Sequence, residues 1–134
     1  MTFVDTNVLL DVVTNDPAWA QWSLGQLDAA ALKGPLAINA VIYAEMSVRF
    51  ERIEDLEGVV AQAGLAMETM PRAALFLAGK AFLRYRAAGG ARTGVLPDFF
   101  IGAHAAIKAV PLLTRDAQRY RTYFPSLVVI APGG

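Results

Sequence analysis

The chain has no cysteine and a single histidine among its 134 residues. A disulfide framework and a thiolate metal site are therefore excluded, and one histidine is too few for a histidine-built zinc centre. Any bound metal must be held by oxygen, which selects hard divalent cations such as Mg²⁺ or Mn²⁺. Charged residues make up only 18% of the sequence, too few for a disordered polyelectrolyte, and the 55% hydrophobic content is ample for a buried core. Mean hydropathy is +0.40, yet charges and prolines interrupt every apolar stretch short of the roughly 18 residues a membrane-crossing helix requires. The opening Met-Thr-Phe-Val-Asp lacks the basic start and long apolar run of a secretion signal, so a cytoplasmic location is expected. The length suits one domain, expected over residues 1–131, with a frayed tail at 132–134.

Excess charge of either sign is also missing, since 12 basic and 12 acidic residues give a net charge of +0. That balance conceals an uneven distribution. Residues 1–68 carry about 10 acids and about 3 bases, and residues 69–134 about 9 bases and about 2 acids, Asp98 and Asp116, so the halves stand at roughly −7 and +7. Such asymmetry suggests a polyanionic or charged partner, although halves of a sequence need not be faces of a fold. Nine of the 12 bases are arginine, the residue suited to forked contacts with phosphate or carboxylate.

The apolar pattern alternates short strands with helices. Strands are expected at 2–5, 36–38, 65–68, 110–114 and 127–130, and helices at 8–13, 17–32, 40–50, 53–63, 72–87, 98–109 and 116–123. Thr6 or Asn7 can cap the first helix, and Asp16-Pro17 reads as a cap followed by a first-turn proline. Residues 88–97, with Gly89, Gly90 and Gly94, read as a flexible loop. Strand–helix alternation implies an α/β fold with a mainly parallel sheet, whose ligands lie at the carboxyl ends of the strands.

Four carboxylates occupy chemically suggestive positions. Asp5 ends the first strand, Asp98 opens a helix, Asp116 follows the fourth strand, and Glu45 interrupts an apolar helical stretch. Each has a plainer reading: the aspartates can cap helices, and Glu45 stands four residues before Arg49, as in a surface ion pair. The combination is more specific, because the basic half keeps only two acids and both belong to this set.

In order along the chain, Val4-Asp5-Thr6-Asn7-Val8-Leu9-Leu10, Ala44-Glu45, Pro97-Asp98-Phe99-Phe100-Ile101-Gly102-Ala103-His104-Ala105 and Leu113-Thr114-Arg115-Asp116 resemble the PIN-domain ribonuclease family, above all its VapC-type toxins of toxin–antitoxin pairs. The resemblance spans essentially the whole chain. It implies a three-layer fold with a five-stranded, mainly parallel sheet flanked by helices. It also implies an acidic pocket in which Asp5, Glu45, Asp98 and Asp116 bind Mg²⁺ or Mn²⁺ and cleave RNA, with Asn7 and Thr114 hydrogen-bonding the ligand carboxylates. Products with 5′-phosphate and 3′-hydroxyl ends, a cognate antitoxin and a homodimer are implied as well, with a tRNA or rRNA loop a fitting substrate. Gly102 stands where a small alanine is usual, and Phe99-Phe100 is bulkier than the common aliphatic pair.

Arg84, Arg86, Arg92, Arg115, Arg119 and Arg121 flank Asp98 and Asp116 in sequence and are candidates for phosphate contacts; a solvated helix face is the alternative. Trp19 and Trp22 are read as core packing for at least one of the pair, or as a groove for a partner helix. His104 is read as a structural residue on an apolar helix and Asp11 as a surface acid. A catalytically silent module of the same fold, or a housekeeping nuclease without antitoxin, are the competing functions. A HAD-type phosphatase using Asp5 is disfavoured because Asn7 stands where that chemistry needs a second aspartate.

Overall fold

The computed structural model describes residues 1–92 and 94–133; Thr93 of the expected loop and Gly134 of the expected tail lie outside the described residues. Five strands, β1 (Thr2–Val4), β2 (Leu36–Ile38), β3 (Leu65–Met67), β4 (Leu112–Leu113) and β5 (Val129–Ile130), form one sheet in the order β3-β2-β1-β4-β5. All four pairings are parallel, with Phe3 opposite Ala37 on one side and Leu112 on the other. Among the described residues, seven helices join and flank them: α1 (Thr6–Val13), α2 (Ala20–Lys33), α3 (Ala40–Ser47), α4 (Ile53–Gln62), α5 (Arg72–Ala87), α6 (Leu96–Lys108) and α7 (Gln118–Tyr123). This is the expected α/β architecture. No helix among the described residues is long and apolar enough to cross a membrane.

Burial explains why strands of two or three residues suffice. Phe3, Val4, Ala37, Ile38, Leu112 and Leu113 are fully buried, as they must be where helices cover both sheet faces. The strand order reverses between β1 and β4, so the crevice at their carboxyl ends is a switch point in the connectivity, where α/β sheets bind ligands. Asp5 and Thr114 stand at those two ends, and the Asp5 amide donates to the Leu113 carbonyl at 2.9 Å.

Several boundaries move inward or outward for identifiable reasons. The sixth helix starts at Leu96 rather than Asp98, because Pro97 fits a first turn whose amides have no intrahelical partner anyway. Asp98 is therefore a first-turn residue, not a cap. The second helix begins at Ala20 instead of Pro17, since the Asp16 side chain accepts from the Ala18 and Trp19 amides, both at 2.9 Å, and holds a separate turn. Asp5, not Thr6 or Asn7, occupies the cap position of α1 and makes no side-chain capping bond.

Gly102 is explained by packing. A Cβ at this position would lie 2.5 Å from the Phe124 ring and 2.9 Å from the Tyr120 ring. The missing methyl admits two large aromatics against α6, where Phe99, also fully buried, meets Phe82, Tyr85, Tyr123 and Phe124 at centroid distances of 5.3–6.3 Å. Gly102→Ala should overpack this junction and destabilise the protein by about 1–3 kcal/mol, read as a lower urea midpoint. An unchanged midpoint would show that the rings have room to retreat.

Candidate functional site

The site assembles at the carboxyl edge of β1 and β4. Asp5 is only 4% exposed. Its Oδ2 accepts from the Thr114 hydroxyl at 2.8 Å, from the Tyr120 hydroxyl at 2.8 Å and, at a longer 3.4 Å, from the Asn7 amide. Thr114 is a junction: its Oγ1 also accepts from the Asn7 amide at 3.3 Å and from the Asp116 backbone N–H at 3.1 Å. Asn7 Oδ1 accepts the Arg115 backbone N–H at 3.2 Å, which ties the start of α1 to the β4–α7 turn. Glu45 comes in from α3, with Oε1 accepting from the Thr6 hydroxyl at 2.6 Å; this hydroxyl is its partner in place of the Arg49 expected from spacing. Asp98 enters from α6 and is paired with Arg119 of α7 at 2.6 Å.

The carboxylates sense one another. Burial, the charge of Asp98 and, more weakly, that of Glu45 push Asp5 up to about 7, against the opposing pull of the Tyr120 and Thr114 hydroxyls. Burial likewise raises Glu45, offset by the Thr6 hydroxyl and reinforced by Asp98. Asp98 is raised by burial and by Asp116, and lowered by the Arg119 guanidinium. Asp5, Glu45, Asp98 and Asp116 thus form one electrostatically coupled group, with Asp116 at its exposed edge. Hard oxygen donors that repel one another at a buried strand end are the chemistry a divalent cation satisfies. Their present spacing is looser: among the described residues, no three acidic or histidine side chains stand close enough to share one ion. Asp98 is held by Arg119, and the inner oxygen of Asp5 already accepts three donors.

Tyr120 is the residue that sequence reasoning missed. It is 1% exposed, and burial together with the neighbouring Asp5 and Asp98 charges drives its phenol well above the usual range, so it stays a donor to Asp5. Nothing in a short amphipathic helix distinguishes a pocket tyrosine from a core one. Asn39 was also missed. It caps α3 by accepting from the Ile42 amide at 3.0 Å, and its amide lies 3.1 Å from His104 Nδ1. His104 is 1% exposed, packs 4.6 Å from the Phe3 ring and is lowered by burial, the structural role anticipated for it.

The arginines separate into distinct environments. Arg115 makes a forked pair with Asp11 at 2.7 and 2.9 Å and lies 5.2 Å from the Trp19 ring centroid, so it braces α1 against the β4–α7 turn. Asp11, expected at the surface, is 2% exposed and also accepts from the Ser23 hydroxyl at 2.7 Å; the sequence gives no sign of the distant arginine that makes its burial tolerable. Arg84 donates to the Tyr123 carbonyl at 3.3 Å, and Arg86 lies 5.9 Å from the Phe82 ring centroid; both are exposed. The expected loop at 88–97 is anchored on Tyr85. The Tyr85 hydroxyl accepts the Arg92 amide at 3.2 Å, and a Cβ on Gly90 would strike its ring at 2.5 Å. Trp22 packs against the core, and Trp19 meets it edge-on at 5.9 Å.

The charge asymmetry of the sequence is partly cancelled in space, because the pairs Asp11–Arg115 and Glu68–Lys108 each join an acid of the first half to a base of the second.

Similar folds occur in the VapBC2 structure from Rickettsia felis bound to a promoter DNA fragment (TM-score 0.73, 16% identity, 97% of each chain covered). They also occur in a toxin–antitoxin complex from Klebsiella pneumoniae (TM-score 0.70, 19% identity, 98% of each chain). A third is VapBC-1 from nontypeable Haemophilus influenzae (TM-score 0.71, 15% identity, 97% of this chain and 96% of that one). No curated protein matches the sequence significantly. At such low identities the likeness is one of fold, but the PIN domain profile matches residues 2–125, nearly the whole chain, and the protein therefore belongs to the PIN domain family.

Proposed function

We propose that this protein is a Mg²⁺- or Mn²⁺-dependent endoribonuclease that acts as the toxin of a toxin–antitoxin pair. The observation that supports this reading is that Asp5, Glu45, Asp98 and Asp116, from four separate segments, lie near enough to sense one another's charge, with Asp5 at the end of β1. Asp5, Glu45, Asp98 and Asp116 are the residues that would hold the cation. A divalent ion there would lower the pKa of a bound water and offset the charge of an in-line phosphoryl displacement. The chain's own groups prepare the site. Thr114, Tyr120 and Asn7 fix the rotamer of Asp5, Thr6 fixes Glu45, and a carboxylate orients the attacking water. Attack of the water oxygen on phosphorus breaks the P–O3′ bond and leaves 3′-hydroxyl and 5′-phosphate ends.

RNA affinity is assigned to Arg84, Arg86 and Arg92, which are exposed along the α5 end and the following loop; Arg115 and Arg119 are already engaged by carboxylates. An antitoxin is the proposed partner for the apolar cleft of about 350 Å³ formed by Ala40, Val41, Ala44, Leu96, Pro97 and Phe100, with Glu45 at its border. Several proteins of similar fold are solved as toxin–antitoxin complexes, which supports this assignment. A homodimer through the exposed apolar face of α5, at Phe76 and Leu83, completes the reading.

The test is incubation of the purified protein with total RNA in Mn²⁺ or in chelator, followed by sequencing of the cleaved ends. Cleavage at defined single-stranded sites, dependent on metal and lost in Asp98→Asn, is expected. Cleavage that persists in chelator, or in Asp98→Asn, refutes the assignment.

A further inference from the structure

The carboxylate cluster includes an unusual occupant. Arg119 Nη1 stands 2.6 Å from Asp98 Oδ2, with the two side chains only 19% and 29% exposed. The guanidinium also lies 6.0 Å from the Tyr85 ring centroid, which gives it a second contact away from the acids. The next residue is Tyr120, whose hydroxyl meets Asp5 at 2.8 Å. One turn of α7 thus places a positive charge on Asp98 and a donor on Asp5.

A guanidinium donates but cannot coordinate, and here it occupies one acceptor position of the Asp98 carboxylate, at Oδ2. A divalent ion binds carboxylate oxygen at about 2.1 Å. With Arg119 still in place, two cations would share one carboxylate at close range and repel. Resting on the metal-site reading above, we propose that Arg119 is a tethered counter-cation that a divalent ion must displace from Asp98. The helix α7 then sets the metal concentration at which the site assembles. The same contact is consistent with the loose spacing of the acids: among the described residues, no three acidic or histidine side chains stand close enough to share one ion, and Asp98 is held by α7. Arg119 is accordingly a positioning residue that stabilises the metal-free pocket.

Calorimetric titration of MnCl₂ into the full chain tests this without an activity assay, with Arg119→Gln, Arg119→Lys and Asp98→Asn measured beside the native protein. Arg119→Gln should bind Mn²⁺ on the order of tenfold more tightly, the scale of one partly buried charge-assisted pair. Its melting temperature should fall below the native one without metal and reach or exceed it in saturating Mn²⁺. Arg119→Lys keeps the charge but loses the planar guanidinium and its ring contact, and should gain about threefold; it decides the matter if Arg119→Gln does not fold. Native-like or weaker Mn²⁺ affinity in both variants, with binding lost in Asp98→Asn, overturns the role of Arg119 while leaving the metal site standing. Absence of Mn²⁺ binding in the native chain and in every variant overturns the metal-site reading and this proposal with it.

Discussion

Asp5→Asn should abolish RNA cleavage and yield a protein that is more stable than the native chain at neutral pH in the absence of metal. The two effects share one cause. Asp5 is buried among like charges, and its carboxyl is driven up to about 7, so near neutrality the fold holds a proton or tolerates an unfavourable buried charge. Asparagine keeps an oxygen that can accept from Thr114 and Tyr120, and it carries no charge for Asp98 and Glu45 to repel. The stability gain should be roughly 1–2 kcal/mol at pH 7.5, seen as a higher urea midpoint. The cost falls on chemistry. A neutral amide is a poor ligand for a hard cation, and loss of one carboxylate from a phosphoryl-transfer site should lower the cleavage rate on the order of a thousandfold. Rising stability with falling activity distinguishes a functional carboxylate from a structural one, whose removal lowers both. A less stable Asp5→Asn that still cleaves RNA would place Asp5 among the structural residues.

The legibility of this arrangement from sequence was uneven for physical reasons. Strand and helix order follows from apolar periodicity, and Asp5, Glu45, Asp98 and Asp116 stand out because acids are costly at apolar or strand-end positions. Short strands such as Leu112–Leu113 and Val129–Ile130 were overextended, since pairing stops where the neighbouring strand does, and that is a property of two segments at once. Pair partners were similarly hidden. Asp11 and Arg115 are 104 residues apart and Tyr120 and Asp5 are 115 apart, and neither member of either pair marks the other. The arginines near Asp98 and Asp116 looked alike in sequence. Only the packing separates Arg115, a brace for Asp11, and Arg119, a counter-charge for Asp98, from the exposed Arg84 and Arg86. Gly102 was legible as a departure from the family pattern, but its reason lay in Phe124 and Tyr120, which reach it from beyond β4.

Mg²⁺ or Mn²⁺ should raise the melting temperature strongly at pH 8 and hardly at all at pH 5. Asp5, Glu45 and Asp98 all have folded-state pKa values above their ordinary ones, with Asp5 near 7. At these three groups the metal-free native state therefore binds more protons than the unfolded chain above the ordinary carboxylate range, and their contribution to stability falls as pH rises. The contribution of these groups is fully present below the ordinary carboxylate range and is lost as pH passes through about 7. A divalent cation requires the deprotonated carboxylates, so its binding strengthens over the same interval and reverses the slope. At a metal concentration about a hundred times the dissociation constant, the gain is about 2.7 kcal/mol, or roughly 8 °C for a chain of this size. Differential scanning calorimetry at pH 5 and 8, with metal and with chelator, measures all four corners. Asp5→Asn serves as the internal reference: without metal it should show a shallower loss of stability from pH 5 to 8, and with metal a smaller rise. A metal effect of equal size at both pH values would mean that the cation binds elsewhere than at these carboxylates. A metal-free stability that climbs from pH 5 to 8 more steeply in the native chain than in Asp5→Asn would mean that Asp5 is stabilised as a charge, with its counter-ion already supplied by the fold.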